Sequence, residues 1–122
     1  GIIKKALPHQ QVIGISAMKN NTVLAAEIQI LLTSSLLKNN FFLNHSYHFG
    51  GYAKHTPELL CWMNDFFSAT HIPLDFVYTA KAMYGIMDMI LKDHFPPSSN
   101  ILMIHTGGLQ SNLSTKPGVL KF

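Results

Sequence analysis

Three short stretches carry the side chains most suited to chemistry. Val77-Tyr78-Thr79-Ala80-Lys81 sets a phenol, a hydroxyl and an amine close together, while Gly50-Gly51-Tyr52 and His105-Thr106-Gly107-Gly108 each join glycines to a polar side chain. A backbone without Cβ atoms approaches an anion closely, so both glycine pairs invite a phosphate reading. Neither matches a Walker loop or a dinucleotide fingerprint: Gly50-Gly51 is not framed by a strand and a helix, and Gly107-Gly108 lacks the downstream lysine and glycine. Gly50-Gly51 therefore reads equally as a turn. Gly107-Gly108 closes an apolar run, the place where α/β folds bind ligands. His45, His48 and His55 lack the cysteine pair or acid that completes a four-ligand zinc site, so no metal is expected. His105 reads first as a hydrogen-bonded core histidine rather than a base. Lys81 reads as an exposed helix cation or, three residues after Tyr78, as an active-site amine.

The elements that must position these groups follow from the hydrophobic spacing. Gln11-Val12-Ile13-Gly14-Ile15-Ser16 is short, β-branched and apolar on both faces, which predicts a strand buried in a parallel sheet. Residues Thr22 to Leu37 predict a helix with Leu24, Ile28, Leu31 and Leu32 on its buried face, ended by Asn39-Asn40. Asn44 to Lys54 predicts a loop or irregular strand. Thr56-Pro57-Glu58 predicts a helix start, with threonine as cap, proline in the first helical position and glutamate at the positive end of the dipole, running to about Ser68. Ile72 to Tyr78 predicts an extended crossing. Thr79 then caps a helix through Leu91 whose expected buried stripe is Ala82, Met83, Ile86, Met87 and Ile90. Beyond the crossover at His94-Phe95-Pro96-Pro97, Ile101 to Thr106 predicts the clearest strand, and the tail after Gln110 reads as disordered. Alternating strands and helices predict an α/β layer, with strands 12–16, one ending near Tyr78 and 101–106 parallel.

Composition narrows the classes. A chain of 122 residues suits one domain burying roughly two thirds of its extended surface. Only 12% of its residues are charged, against roughly 25% in an average domain, so apolar surface is expected to be covered by something further. The net charge of +3 comes from nine lysines without an arginine, and no cluster exceeds Lys4-Lys5. That is a poor nucleic-acid footprint, and no such partner is expected. The most apolar stretch, Val23 to Leu37, is interrupted by Glu27, Gln29 and Thr33 to Ser35, so no membrane partner is expected. Cys61, the single cysteine, lies among Leu59, Leu60, Trp62 and Met63 and reads as a buried thiol in a reduced, cytoplasmic setting. The opening Gly1-Ile2-Ile3-Lys4-Lys5-Ala6-Leu7-Pro8 has no initiator methionine, signal peptide or capping residue, which predicts a cut made inside a larger fold.

The residues alone leave two readings open: an enzyme site for a small molecule, or a non-catalytic α/β protein that binds a ligand or partner through the Gly50 to Tyr52 loop and the Thr106 to Gly108 turn. The order of the segments says more. Val77-Tyr78-Thr79-Ala80-Lys81-Ala82-Met83-Tyr84-Gly85 resembles the VY[T/E]GK-x-M-x-G block of the 1-aminocyclopropane-1-carboxylate deaminase and D-cysteine desulfhydrase family. Ile104-His105-Thr106-Gly107-Gly108 resembles its H[T/L]GG block, and Gly50-Gly51-Tyr52 its segment with a second active-site tyrosine. Ala80 departs from the usual glycine.

The resemblance implies an α/β chain forming part of the parallel sheet of a fold type II pyridoxal-phosphate enzyme, with helices packed on it. The chain would be the C-terminal part of the cofactor-binding domain, less than half of a family member. It implies pyridoxal 5'-phosphate as cofactor, a small amino acid as substrate and a homodimer for the full-length enzyme. Tyr78 and Tyr52 would flank the substrate's reacting carbon, Thr79 would meet the pyridine nitrogen, and Thr106 and Gly107 would border the ring. The family's Schiff-base lysine and serine-bearing segment lie upstream, so the chain by itself is expected to be inert. Glutamate stands at the Thr79 position in the cyclopropane deaminases, where it favours a protonated pyridine; neutral threonine suits the weaker sink of a D-cysteine desulfhydrase-like β-elimination. Thr106, where the deaminases usually have leucine, points the same way.

Overall fold

The computed structural model describes residues 3, 7, 9–19, 21–32 and 40–122. The strand expected near the start forms as β1 (Val12–Ile15). It pairs in parallel with β2 (Phe41–Asn44), Val12 opposite Phe41 and Ile15 opposite Asn44. The ladder continues through the Val12 N–H on the Asn40 carbonyl at 2.7 Å and the Ser16 N–H on the Asn44 carbonyl at 2.8 Å. Parallel pairing requires a crossover, and α1 (Leu24–Leu32) supplies it, with Asn21 Oδ1 accepting the Leu24 N–H at 3.0 Å where the helix begins. β2 escapes the spacing argument because Phe41-Phe42-Leu43 is brief and does not alternate. Gly14 sits in β1 where a Cβ would lie 3.0 Å from the Leu43 side chain. The strand is half-buried rather than buried on both faces, and on α1 Leu24 and Ile28 are half-buried while Leu31 is exposed. The expected end of α1 near Leu37, the Asn39 stop and the Gly1 start lie outside the described residues.

Helix α2 (Pro57–Thr70) begins as its sequence demands. Thr56 Oγ1 accepts the Leu59 N–H at 3.3 Å and Pro57 occupies the first turn, while His71, at φ 57°, closes the far end in the left-handed conformation. Helix α3 (Thr79–Leu91) packs on α2 and on β1. Leu59 and Met63 of α2, Leu74, Phe76 and Val77 of the connecting segment and Ala80 of α3 form the core. Tyr84 joins its edge, meeting Trp62 and Phe49 edge to face and donating to Glu58 Oε1 at 2.9 Å.

Five expectations need correction. The buried line of α3 is Lys81, Gly85 and Met89, while Met87 and Ile90 are exposed, because the helix presents its N-terminal polar turn, not its most apolar stripe, to the interior. Cys61 is exposed, since it sits two positions from both Leu59 and Met63 and so on the far side of α2. Residues Ile72 to Tyr78 form no strand. Side chains, not a neighbouring strand, take up the backbone there: His105 reaches the Pro73 carbonyl, Asn112 the Leu74 carbonyl and Phe76 N–H, and Asp75 the Val77 and Tyr78 N–H groups. Residues 101–106 likewise form no strand and leave Ile101, Leu102 and Ile104 exposed, because no strand among the described residues lies beside them to complete a ladder. The tail, finally, is built rather than loose: a 3-10 helix covers Leu109–Ser114, and Asn64 of α2 holds the Val119 carbonyl and the Lys121 N–H at 2.8 Å each. An α/β arrangement with a small parallel sheet thus stands, smaller than the three-strand layer expected. No described helix is long and apolar enough to cross a membrane.

Candidate active site

The start of α3 is organised by Asp75, a residue the motif analysis did not single out. Its carboxylate is fully buried and accepts the Val77 and Tyr78 N–H groups at 2.9 and 2.8 Å on Oδ1 and the Thr79 N–H at 2.9 Å on Oδ2. These are the free donors of a helix N-terminus, and an anion there also meets the positive end of the dipole. The cap is reciprocal. Thr79 Oγ1 accepts the Asp75 N–H at 2.8 Å and donates to Asp75 Oδ2 at 2.7 Å, an exchange like that of a capping box. The spacing Asp75 to Thr79 at the head of a helical pattern was the available signal. Thr79 is accordingly only 2% exposed, and a ring nitrogen approaching it would compete with Asp75 for its single hydroxyl proton.

The turn after Ile104 docks on this same carboxylate. Gly108, at φ 94°, lies so close that a Cβ there would stand 3.2 Å from the Asp75 carboxyl, and Ser111 Oγ is 3.5 Å from Oδ1. Gly107, at φ 82°, has open space where its Cβ would be. Thr106 is exposed beside it. His105 holds the turn with both ring nitrogens: Nδ1 accepts the Gly107 N–H at 3.1 Å, which leaves Nε2 to carry the proton and donate to the Pro73 carbonyl at 3.0 Å. It is exposed, not a core residue, and structural rather than basic in function.

Tyr78 and Tyr52 meet edge to face, ring centroids 5.9 Å apart, with 50% and 59% of their surfaces exposed. Hydrogen bonding to Tyr52, then burial and the charges of Tyr52 and Asp75, raises the Tyr78 phenol above its ordinary value. The Tyr78 phenol is thus held protonated at neutral pH. Lys81 is not the exposed cation that one reading of the sequence expected. It is fully buried, its Nζ donates to the Gly51 carbonyl at 2.7 Å, and burial lowers its pKa to about 8 against the opposing pull of Asp75. His48 Nδ1 accepts the Gly50 N–H and the His55 ring packs on Phe76, so two of the three loop histidines serve the loop itself. Among the described residues no three His, Cys, Asp or Glu side chains are grouped to hold a metal.

The structure therefore brings Tyr52 to Tyr78, and the Gly108 turn to Thr79 through Asp75. No family model and no solved structure matches the chain. Curated sequences do. It is 35% identical over 78 residues to a Pyrococcus furiosus protein named "Putative 1-aminocyclopropane-1-carboxylate deaminase", covering 64% of this chain and 23% of that protein. A Pyrococcus abyssi protein of the same name is 40% identical over 65 residues, 53% of this chain and 19% of its own length. The bifunctional D-cysteine desulfhydrase/1-aminocyclopropane-1-carboxylate deaminase, mitochondrial, of Arabidopsis thaliana is 45% identical over 60 residues, 48% of this chain and 15% of that protein. The chain spans less than a quarter of the length of these relatives. Over about half of its own length, it is similar in sequence to members of the 1-aminocyclopropane-1-carboxylate deaminase and D-cysteine desulfhydrase family.

Proposed function

We propose that this chain forms one wall of the active site of a pyridoxal-phosphate enzyme that eliminates a β-substituent, such as thiol, from a small amino acid of the D-cysteine type. The observation that carries the reading is the meeting of Tyr52 with Tyr78 directly beside the capped Thr79. The groups present suit a flat pyridine ring: a neutral hydroxyl at Thr79, a side with no Cβ at Gly107 and Thr106 next to it, and two phenols standing where a substrate would lie. Pyridoxal phosphate, when bound, supplies the electron sink; its lysine, on this reading, belongs to another part of the longer protein, since Lys81 is buried and engaged. Thr79 would meet the ring nitrogen only by redirecting the hydroxyl proton it now gives to Asp75, and being neutral it would force no proton onto that nitrogen. Elimination breaks the Cα–H and Cβ–S bonds: a base from the other part of the longer protein would take the Cα proton, and Tyr78, held protonated, would donate its own to the departing thiolate and be reprotonated from solvent. Tyr52 fixes the direction of that phenol. The full-length homodimer and the inertness of this chain in isolation belong to the same reading.

The full-length protein tests it. Thr79→Ala should retain the cofactor's visible absorption but slow release of sulfide from D-cysteine about tenfold to hundredfold, the worth of one transition-state hydrogen bond of roughly 1 to 3 kcal/mol. Tyr78→Phe should lower turnover and leave the resting spectrum nearly unchanged. Full turnover in Thr79→Ala together with a strongly altered spectrum in Tyr78→Phe would reverse the two assignments, and a full-length protein that binds no pyridoxal phosphate would end the reading.

A further inference from the structure

A lysine with none of its surface exposed is an expensive thing to fold, because an ammonium group removed from water loses several kcal/mol of hydration that one carbonyl does not restore. Methionine would fill the same space without that cost, so the position invites a reason other than stability. Its geometry offers one. Lys81 follows Tyr78 by one helical turn on α3, and its Nζ donates at 2.7 Å to the carbonyl of Gly51, the residue directly before Tyr52. Among the described residues, the other hydrogen bonds of the Gly50-Gly51 turn come from within its own loop: the Gly50 N–H donates to His48 Nδ1, the Gly51 N–H to the His48 carbonyl, and the Lys54 N–H to the Gly51 carbonyl. Both glycines have positive φ, 94° and 119°, so the turn is a conformation that glycine permits but does not by itself select.

We propose that Lys81 is a positioning residue that ties the Gly50 to Tyr52 turn to the first turn of α3 and thereby sets the Tyr52 ring against Tyr78. The tie acts one residue from Tyr52 on one side and one helical turn from Tyr78 on the other, so a small displacement of the Gly51 carbonyl moves the phenols relative to each other. Asp75, at the base of the same helix, attracts the ammonium and opposes the effect of burial. That the tyrosine pair serves catalysis rests on the function proposed above; the tie itself does not.

The test is made on the chain without cofactor, by NMR and by ultraviolet titration of the tyrosines. In Lys81→Met, helix content should be kept, the Tyr52 to Tyr78 ring cross-peaks should be lost, and the Tyr78 phenol should fall back toward the ordinary tyrosine range. A second measurement uses the unsubstituted chain, so it holds even if the variant folds poorly. The Gly51 carbonyl carbon should shift with the same midpoint as the Lys81 side-chain nitrogen. A Lys81→Met chain with its tyrosine cross-peaks and titration intact, or a Gly51 carbonyl blind to Lys81, overturns the tie. Absence of cofactor binding in the full-length protein would overturn only the catalytic reading.

Discussion

A single buried charge gives the folded chain a pH dependence of definite sign. Burial lowers the Lys81 pKa in the folded chain to about 8, against 10.5 for a lysine in water. Between those values the unfolded chain holds a proton that the folded chain has released, so stability rises with pH across this window. Tyr47 acts in the opposite sense. Burial, its hydrogen bond to Asp88 and that carboxylate's charge push its phenol up to about 12, so above pH 10 the folded chain holds the extra proton and stability falls. Denaturant unfolding at a series of pH values should show a gain of about 1 to 3 kcal/mol from pH 8 to a maximum near pH 10. Lys81→Met should flatten the rise and leave the fall. A flat profile in the unsubstituted chain would mean that Lys81 is not buried in solution.

At the scale of elements, α3 depends on the absence of a side chain at Gly85. A Cβ there would lie 2.8 Å from Tyr47 Cδ2 and 3.0 Å from Cγ, the root of the ring rather than its mobile end. Gly85→Ala gains roughly 1 kcal/mol in helix propensity, but overpacking of this kind costs roughly 1 to 3 kcal/mol. A net loss of about 1 kcal/mol is expected, with the Tyr47 phenol returning toward the ordinary range as its bond to Asp88 opens; unchanged melting and titration would show that the ring yields freely. Helices were the legible part of this sequence. Thr56-Pro57-Glu58 carries its cap within three residues, and a helix forms both there and over Thr79 to Leu91, although Asp75 rather than the expected Thr79 caps the second and its buried line is not the expected one. Strands were less so, since Ile101 to Thr106 has strand composition but pairing depends on a neighbour that local pattern cannot report. The same limit explains the site. Tyr52, Tyr78, Thr79 and the Gly107 turn were visible as motif letters, whereas Asp75 and the burial of Lys81 arise from packing between segments far apart in the chain.

Across the whole molecule, the C-terminal segment is fastened at two levels. Asn112 bonds to the Leu74 carbonyl and the Phe76 N–H beneath the site, and Asn64 bonds to the Val119 carbonyl and the Lys121 N–H while Phe122 packs on Phe67, ring centroids 4.6 Å apart. Asn64→Ala removes both outer bonds and should cost about 1 to 2 kcal/mol. Limited trypsin digestion should then release Phe122 by a cut after Lys121 well before any cut after the buried Lys81 of α3; equal rates in the two chains would show that Phe122 alone suffices. The two fastenings also fix how a mechanical load would travel. A pull on the C-terminus meets Asn64 and Phe122 first and passes into α2, one of the best packed elements, before it can reach Asn112. The turn that borders Thr79 is in this way shielded from tension at the end of the chain.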